Sequence, residues 1–527
     1  MYTIRNPRRI DIGITRGDPI SRRLLLKLSA AGAAVLSLPK AGWSQETPAK
    51  GGVLRVAASN NPSSLDPQTG RSGFDHPILF ALFDTLVEFD FETLLPLPGI
   101  AREWVNETPV RLVLTLNEGV RFHDGTPCDA AAVKFNLDRA VGYERSNVKS
   151  DSASIESVDV IDPLHVAINL KHPDSALILV LSDRLGMMIS PSATEAAGGA
   201  VDRTPVGTGA WKFASWTDNS EIILTRNEDY WRPERPYLDG IEFKIIPEMN
   251  TGLRSVVAGE NDLAFGLTQQ QLKVVERADT IGFIAGPTQI VNMLYFNLGR
   301  PTIGNVKVRQ ALNYAVNREA FNAVTQDGEI AYTLIPSSHW AYSPAVAEVY
   351  PYDPDKARAL LAEAGYADGF DLAGVGWNDQ KAVQRQEILI EQFGQVGIRT
   401  KFVTASVADS TNMFMADKIG DVYLGAFTGR PDPSQGYHRL FDKDAFLNPA
   451  HADPAVGRAE YQLETQSTSD ITERIAAFHK LEMSVAEAAL FCPLTFSADI
   501  TAFARRVKGV RGNLTGKLKF DSVFLSA

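Results

Sequence analysis

Short apolar runs alternate with amphipathic helical patterns along residues 51–527, and Gly or Pro stands at most of the junctions between them. Strands are predicted where apolar and polar positions alternate, or where β-branched residues cluster. The predicted strands are 53–57, 111–116, 165–170, 221–225, 241–246 and 490–494.

Helices are predicted from apolar positions that recur with a period of 3.6 residues. In the clearest one, Asp353 caps the helix, Pro354 occupies its first turn and Gly365 ends it. A second helix is predicted over 306–324, with Arg309 and Arg318 on its polar side. A third covers 471–489, and together the patterns indicate a mixed α/β protein.

Length and charge narrow the class of protein. The chain has 527 residues, which corresponds to roughly three domains at about 100–200 residues each. Its net charge of −11 argues against a nucleic-acid partner. Cys128 and Cys492 are too few for a disulfide framework and too far apart for a zinc motif.

Residues 1–44 have the pattern of a secretory signal. A basic segment that ends in Arg22-Arg23 precedes an apolar run over 28–38 and a small-residue stretch that ends at Ser44. The paired arginines resemble a twin-arginine (Tat) signal, so we expect the Tat export machinery as a partner and the periplasm as the location. The alternative is an ordinary N-terminal helix with a chance arginine pair.

Motifs of common enzyme classes are missing from the sequence. It contains no G-x-S-x-G elbow, H-E-x-x-H helix or C-x-x-C pair, and its histidines are scattered. The segment 512–517 superficially resembles a phosphate-binding loop but is one residue too short between its glycines. We therefore expect no catalysis, no cofactor and no metal.

Seven segments, in order along the chain, resemble the family 5 extracellular solute-binding proteins of ABC transporters, the group that binds peptides, glutathione, opines or nickel. The strongest is V-R-Q-A-L-N-Y-A-V-N-R at 308–318. The others are 51–56 with 64–67, 83–87, 122–127 with 132–136, 204–209, 227–231, and 352–354 with 364–366.

This resemblance implies an α/β fold of the two-lobed periplasmic-binding-protein type II (Venus-flytrap) class, with an extra domain inserted in the first lobe. The first lobe is expected at 45–92, 205–285 and 499–527, the inserted domain at 93–204 and the second lobe at 286–498. It also implies a non-covalently bound small molecule, such as a peptide, modified peptide or opine. ABC permease transmembrane subunits would be partners, and the mature form is expected to be a monomer.

Two glycine-containing segments are predicted to form turns that serve the fold. Gly207 and Gly209 are expected to form turns that need a positive φ. The segment 259–262 is expected to be a turn whose acidic residues are exposed and available to a permease.

The segment 425–433 carries the clearest indication of ligand chemistry. In peptide-binding relatives it holds an aspartate, four places before its final Pro, that pairs with the ligand α-amine; Gly429 stands there in this sequence. The sequence G-R-P-D-P is similar to the branch with glutathione- and opine-type binders. Arg430 is predicted to hold an acidic ligand group, since a guanidinium can bind a carboxylate through two parallel bonds. Alternatively, Arg430 pairs with Asp432 or Asp442.

Further pocket candidates lie on loops. Some of these residues follow a Gly-containing turn of the first lobe, and others stand on Pro- and Ser-flanked loops of the second lobe. The aromatic side chains among them are suited to stack on a ligand. These candidates are Phe74, Asp75, His76, His339, Trp340, Trp377, Phe427 and Tyr437.

Three other functions remain open from the sequence. They are a secreted hydrolase with an unrecognised site, a cofactor protein loaded before Tat export, and a sensor that reports its ligand to a membrane receptor. A sensor would use the same cleft as a carrier.

Overall fold

The computed structural model describes residues 48–70, 72–443, 445–452 and 466–526. The predicted signal 1–44 lies outside them. In chain order, the strands are β1 (Val53–Ala58), β2 (Val87–Phe89), β3 (Pro96–Pro98), β4 (Ala101–Thr108), β5 (Arg111–Leu116), β6 (Ile155–Asp162), β7 (His165–Leu170), β8 (Trp211–Thr217), β9 (Glu221–Arg226), β10 (Gly240–Ile245), β11 (Leu263–Leu267), β12 (Ile281–Phe296), β13 (Gly328–Ile330), β14 (Phe370–Trp377), β15 (Ile398–Ala405), β16 (Val422–Thr428), β17 (Phe491–Ala504), β18 (Val507–Lys508) and β19 (Phe524–Leu525).

Helices cover the faces of these strands. In chain order, they are α1 (His76–Leu82), α2 (Ala130–Gly142), α3 (Leu177–Val180), α4 (Pro191–Ala196), α5 (Met249–Val257), α6 (Gln269–Val275), α7 (Pro301–Gly304), α8 (Val306–Ala315), α9 (Arg318–Thr325), α10 (Pro354–Glu363), α11 (Gln380–Gly394), α12 (Val407–Met415), α13 (Pro433–Phe441) and α14 (Ile471–Glu487).

One mixed sheet runs through both halves of the molecule. Its strand order is β15-β14-β16-β12-β17-β11-β1-β10-β9-β8, with β13 paired to β17. We call the half with β1 and β8–β11 lobe I, and the half with β13–β16 lobe II. Each lobe has its own apolar core, and β12 and β17 belong to both. The predicted two-lobed α/β fold is confirmed.

The two lobes join where the pairing of β12 with β17 is interrupted. The first part of β12 pairs with residues 498–504, and its last part pairs with β16 as well as with the start of β17. The register shifts between Pro287 and Val291. Because proline lacks an N–H group, it cannot complete the ladder, and the shift gives the sheet a bend at the junction.

A separate antiparallel sheet is formed by β4, β5, β7 and β6, in that order. The helix α2 packs against it, so that Leu114, Leu137 and Ile168 lie in one buried cluster. We call this unit the inserted sheet, since it is built from chain that lies between β3 and β8.

The prediction of one helix over 306–324 is wrong. The structure has two helices, α8 and α9, because Val316 and Asn317 adopt extended backbone conformations between them. The Asn317 side chain then accepts a hydrogen bond from Ala320 N and caps α9. An asparagine inside a helical pattern was the available signal for this break.

The placement of Arg309 and Arg318 on a polar face is also wrong, since both are buried. The Arg318 guanidinium donates to Pro493 O at 2.9 Å and to Asn313 Oδ1 at 3.0 Å. Arg309 donates to Ala489 O at 2.9 Å and Ala488 O at 2.9 Å. Arg318 therefore connects the helix pair to the start of β17, and Arg309 connects it to the turn between α14 and β17.

Two turn predictions need correction as well. Gly207 and Gly209 do not have positive φ; a Cβ at Gly207 would instead lie 2.1 Å from Leu82 O, so close backbone approach requires glycine. In the turn 259–262, Glu260 is exposed as predicted, whereas Asp262 is 1% exposed and pairs with Arg55 at 3.0 Å. Its carboxylate holds β1 to the turn and is not available to a partner.

Two further observations concern membrane-spanning helices and the two cysteines. Among the described residues, no helix has the length and apolar character needed to cross a membrane. Cys128 and Cys492 are both free thiols and both buried.

Replacement of Arg318 by Met tests the buried arginine. The change leaves carbonyl groups of Asn313 and Pro493 without donors, which costs about 1–3 kcal/mol for each buried orphan. We expect the free energy of unfolding in urea to fall by about 3 kcal/mol. The exposed Arg358→Met serves as the control and should change it by less than about 0.5 kcal/mol. Equal losses in the two variants would contradict the assignment.

Candidate functional site

Arg430 lies just beyond the end of β16, on the side of lobe II that faces lobe I. Neither of the predicted alternative partners is available to it. Asp432 caps α13 through Ser434 N and pairs with Arg474 at 2.9 Å, while Asp442 pairs with His438 at 3.0 Å. Among the described residues, no carboxylate forms an ion pair with Arg430, which is half-buried.

The opposite wall, in lobe I, carries a buried cluster of three charged or titratable side chains. Asp183 accepts from Lys517 Nζ at 2.6 Å and lies 2.6 Å from His76 Nε2. Burial lowers the pKa of His76 to about 4, so the ring is neutral at pH 7. Burial also lowers the pKa of Lys517, against the opposing charge of Asp183, and Arg430 lowers it further.

Asp151 of the inserted-sheet unit reaches lobe II. Its Oδ1 accepts from Gln435 Nε2 at 3.4 Å. Burial raises the pKa of Asp151, and the charges of Arg430 and Arg439 act in the opposite direction. Two backbone bonds make similar connections, Trp340 N to Thr93 O at 3.1 Å and Ser175 N to Gln466 O at 3.1 Å. The lobes are therefore in contact around this site.

Positive charge predominates where these walls meet. Arg430, Arg439 and Lys517 influence one another and face the carboxylates Asp151 and Asp183. Among the residues that the structure describes here, these three cations face two carboxylates. A site of this composition suits a ligand with a free acidic group, since each charge-assisted bond contributes about 1.5–3 kcal/mol.

The backbone at Gly429 has no room for a side chain. A Cβ built there would lie 2.6 Å from Gln289 Cβ and 3.1 Å from Gln289 O. Gly429 N donates to that same carbonyl at 2.8 Å, which fixes the close approach. The aspartate that peptide-binding relatives carry at this position is therefore excluded by packing in this chain.

A cavity of about 350 Å³ opens beside the junction of the lobes. It is bounded by Pro287 and Asp499 at the crossing strands, by Ser338 of lobe II and by Leu514 of the C-terminal segment. Burial raises the pKa of Asp499 to about 6. The cavity has room for a small solute, and the acidic side chains among its lining residues are Glu92 and Asp499.

The loop that carries His339 and Trp340 depends on a buried glutamate of α14. Glu482 accepts from Ser343 N at 2.9 Å and from the hydroxyl groups of Thr333 and Tyr437. Burial raises the pKa of Glu482 to about 8, so it is mostly protonated at pH 7. This carboxyl group holds the loop and α13 in fixed positions along the cleft.

Several predicted site residues are buried beneath the cleft surface. Tyr437, Phe427 and His339 are 1%, 3% and 4% exposed. Asp75 is fully buried, where it accepts from Ser63 N at 2.7 Å and pairs with Arg184 at 3.0 Å. Their direct contact with a ligand stays a prediction, and their observed role is to support the walls.

The remaining candidates are more accessible. Phe74 is 48% exposed on lobe I, and Trp377 is half-buried at the end of β14, where its indole N–H donates to Tyr423 Oη at 2.6 Å. Trp340 is half-buried and packs edge-on against Phe478. Their ligand contacts also stay predictions.

Five residues of the site were missed from the sequence: Lys517, Asp183, Asp151, Arg439 and Gln289. Lys517 belongs to the segment 512–517, which was considered only as an incomplete phosphate-binding loop. The others stand in segments without a motif, and only the folded chain brings them together. Among the described residues, no cluster of three or more His, Cys, Asp or Glu side chains is arranged to hold a metal ion.

Comparison with known proteins identifies the family. The model of bacterial extracellular solute-binding proteins, family 5, matches residues 96–448. The chain belongs to this family. A family 5 relative, the glutathione-binding protein GsiB of Escherichia coli (strain K12), is 30% identical over 478 residues, which cover 86% of this chain and 91% of GsiB.

Solved structures share the fold of this chain. The ABC transporter substrate-binding protein CtaP of Listeria monocytogenes matches with a TM-score of 0.81 at 20% identity, over 91% of this chain and 100% of that one. DppA of Helicobacter pylori, an ABC transporter-associated periplasmic binding protein in complex with the peptide STSA, matches with a TM-score of 0.75 at 22% identity, over 91% and 99%.

Replacement of Gly429 by Asp tests whether packing excludes the peptide-type aspartate. The new side chain collides with Gln289, and overpacking of this kind costs about 1–3 kcal/mol. We expect a lower melting temperature and no gain of affinity for trialanine by calorimetry. A stable variant that binds trialanine more tightly than wild type would refute the packing argument.

Replacement of Glu482 by Gln tests the buried carboxyl group. Its folded-state pKa of about 8 lies above the ordinary value of 4.5, so the unfolded chain releases this proton first as pH rises. The wild-type stability contributed by protonated Glu482 is therefore present below about pH 4.5 and is lost progressively up to about pH 8. We expect Glu482→Gln to raise the melting temperature at pH 8 more than at pH 5. The opposite order would contradict a protonated glutamate.

Proposed function

We propose that this protein is the periplasmic binding component of an ABC importer, and that its ligand is a small peptide-like solute with a free acidic group. The solute binds non-covalently between the lobes and is delivered to the transmembrane permease subunits. No chemical step is needed, and the protein acts as a non-catalytic carrier.

The observation that carries the ligand class is Arg430, which forms no ion pair with any described carboxylate and lies near two further cations. Arg439 and Lys517 add to this charge, whereas Gly429 removes the acceptor for an α-amine. An acidic solute would replace water on Arg430 with charge-assisted bonds. The name of GsiB supports glutathione, a peptide with free carboxylates, as the first probe.

Location and assembly belong to the same proposal. The segment 1–44, with its paired Arg22 and Arg23, directs the protein to the Tat export machinery, and the mature chain works in the periplasm as a monomer. The name of DppA as a periplasmic, ABC transporter-associated protein supports this placement.

Native mass spectrometry of protein purified from the periplasm without denaturation tests the carrier function. We expect one small adduct per chain, which Arg430→Ala loses. With glutathione in calorimetry, Arg430→Ala should weaken binding by about 10- to 150-fold, the equivalent of about 1.5–3 kcal/mol. The exposed Arg358→Ala is the matched control and should bind like wild type.

The possible outcomes distinguish a failure of the proposed carrier function from a failure of the role assigned to Arg430. Equal binding by wild type and Arg430→Ala would leave a carrier whose acidic anchor lies elsewhere. Failure of the wild type to bind any of glutathione, small acidic peptides and opines would contradict the proposed ligand class. Hydrolysis of a bound peptide would contradict the non-catalytic carrier.

A further inference from the structure

Asp499 lies on β17 at the point where this strand passes between the lobes. It pairs with Gly286 of β12 and precedes Ile500, whose side chain is buried in the apolar cluster under α5 and α6. Successive side chains of a strand point to opposite faces, so Asp499 points away from that cluster. There it lines the cavity of about 350 Å³ at the junction of the lobes.

The Asp499 carboxylate has no partner among the described residues. No described side chain forms a hydrogen bond or an ion pair with it, and burial is what raises its pKa to about 6. Arg511, an exposed residue whose guanidinium lies 4.6 Å from the centre of the Phe91 ring, does not pair with it. A carboxylate that loses solvent without gaining a counter-charge raises the free energy of the folded protein, and a bound cation relieves this cost.

The described residues that line the cavity carry negative charge and no positive charge. The acidic side chains are those of Asp499 and of the exposed Glu92, and no Lys, Arg or His is among the described lining residues. Most of the other lining residues are apolar or glycine, and opposite charges attract more strongly in such surroundings than in water. The cavity therefore suits the cationic part of a small molecule.

The cavity adjoins the segment that carries the predicted acidic-group anchor. Gln289 N donates to Leu514 O at 2.8 Å, and Leu514 lines the cavity. Gln289 O accepts from Gly429 N at 2.8 Å, and Arg430 is the next residue. A small zwitterion that lies across Gln289 would have a carboxylate near Arg430 and an ammonium group near Asp499.

We propose that Asp499 is a specificity-determining residue that accepts the ammonium group of the bound solute. The inference rests on the proposed function and defines its ligand more narrowly, as a zwitterion with an acidic group at Arg430 and an ammonium group in the cavity. Gly429 offers no side-chain acceptor for such a group, whereas Asp499 does. Because β17 belongs to both lobes, the ammonium group is held at their junction.

Two ligands and one variant of equal size test this contact. Glutathione carries an ammonium group, and glutaryl-cysteinylglycine is the same molecule with that group replaced by hydrogen. In calorimetry at pH 7.5, we expect wild type to bind glutathione about tenfold or more tightly than the analogue. Asp499→Asn should reduce this affinity ratio to about twofold or less, because it removes the charge and keeps the shape of the side chain.

The same ratio measured at two pH values gives a readout that a purely structural role would not change. Asp499 loses its charge as the pH falls below about 6, and a neutral carboxyl group attracts an ammonium group less strongly. Among the described residues, Glu92 is the other titratable side chain that lines the cavity. We expect a smaller ratio at pH 5 than at pH 7.5, both in wild type and in Glu92→Gln.

The matched control is Asp355→Asn, at a side chain that is 90% exposed, and it should keep the wild-type ratio. Without ligand, Asp499→Asn should melt at the wild-type temperature or above it at pH 7.5, since it removes an unpaired charge. Equal binding of the two ligands by wild type, or a ratio that Asp499→Asn leaves unchanged, would overturn the inference while the carrier function stands. Absence of glutathione and acidic-peptide binding in the wild type would overturn the proposed function and this inference together.

Discussion

The pairing of β12 with β17 is the constraint on which both lobes depend. These strands carry the main sheet from lobe I into lobe II, and the register shift between Pro287 and Val291 interrupts their ladder at the junction. Because the strands on either side are held by regular pairing, we expect relative motion of the lobes to centre on this short interruption. The arrangement allows closure on a solute without repacking either core.

The ligand chemistry follows from what this junction brings together. Gln289 lies in the interruption, Gly429 and Arg430 follow β16, and Lys517 reaches in from the C-terminal segment. Among the described residues, cationic side chains outnumber carboxylates there, and the tight packing at Gly429 keeps the peptide-type carboxylate out. We therefore expect the site to differ from that of a simple peptide binder through local changes at these residues. Local changes of this kind allow one fold to bind different solutes.

Periodicity predicted a minority of the regular elements, those with clear alternation or caps, such as the strands β5 and β9 and the helix α10. It failed where side chains act against their usual preference. Arg309 and Arg318 are buried as donors to carbonyl groups, and Asn317 interrupts a helical pattern. The family resemblance led to Gly429 and Arg430. Lys517, Asp151 and Gln289 could not be found this way, since their roles arise from contacts between segments far apart in the sequence.

The most direct test of the central claim compares glutathione with its diethyl ester by calorimetry on the wild-type protein. The two solutes share a backbone and an amine, and the ester lacks both free carboxylates. Because Arg430 forms no ion pair with any described carboxylate, we expect esterification of the ligand to weaken binding by about tenfold or more. Equal affinities for the two solutes would contradict an acidic ligand group as the anchor.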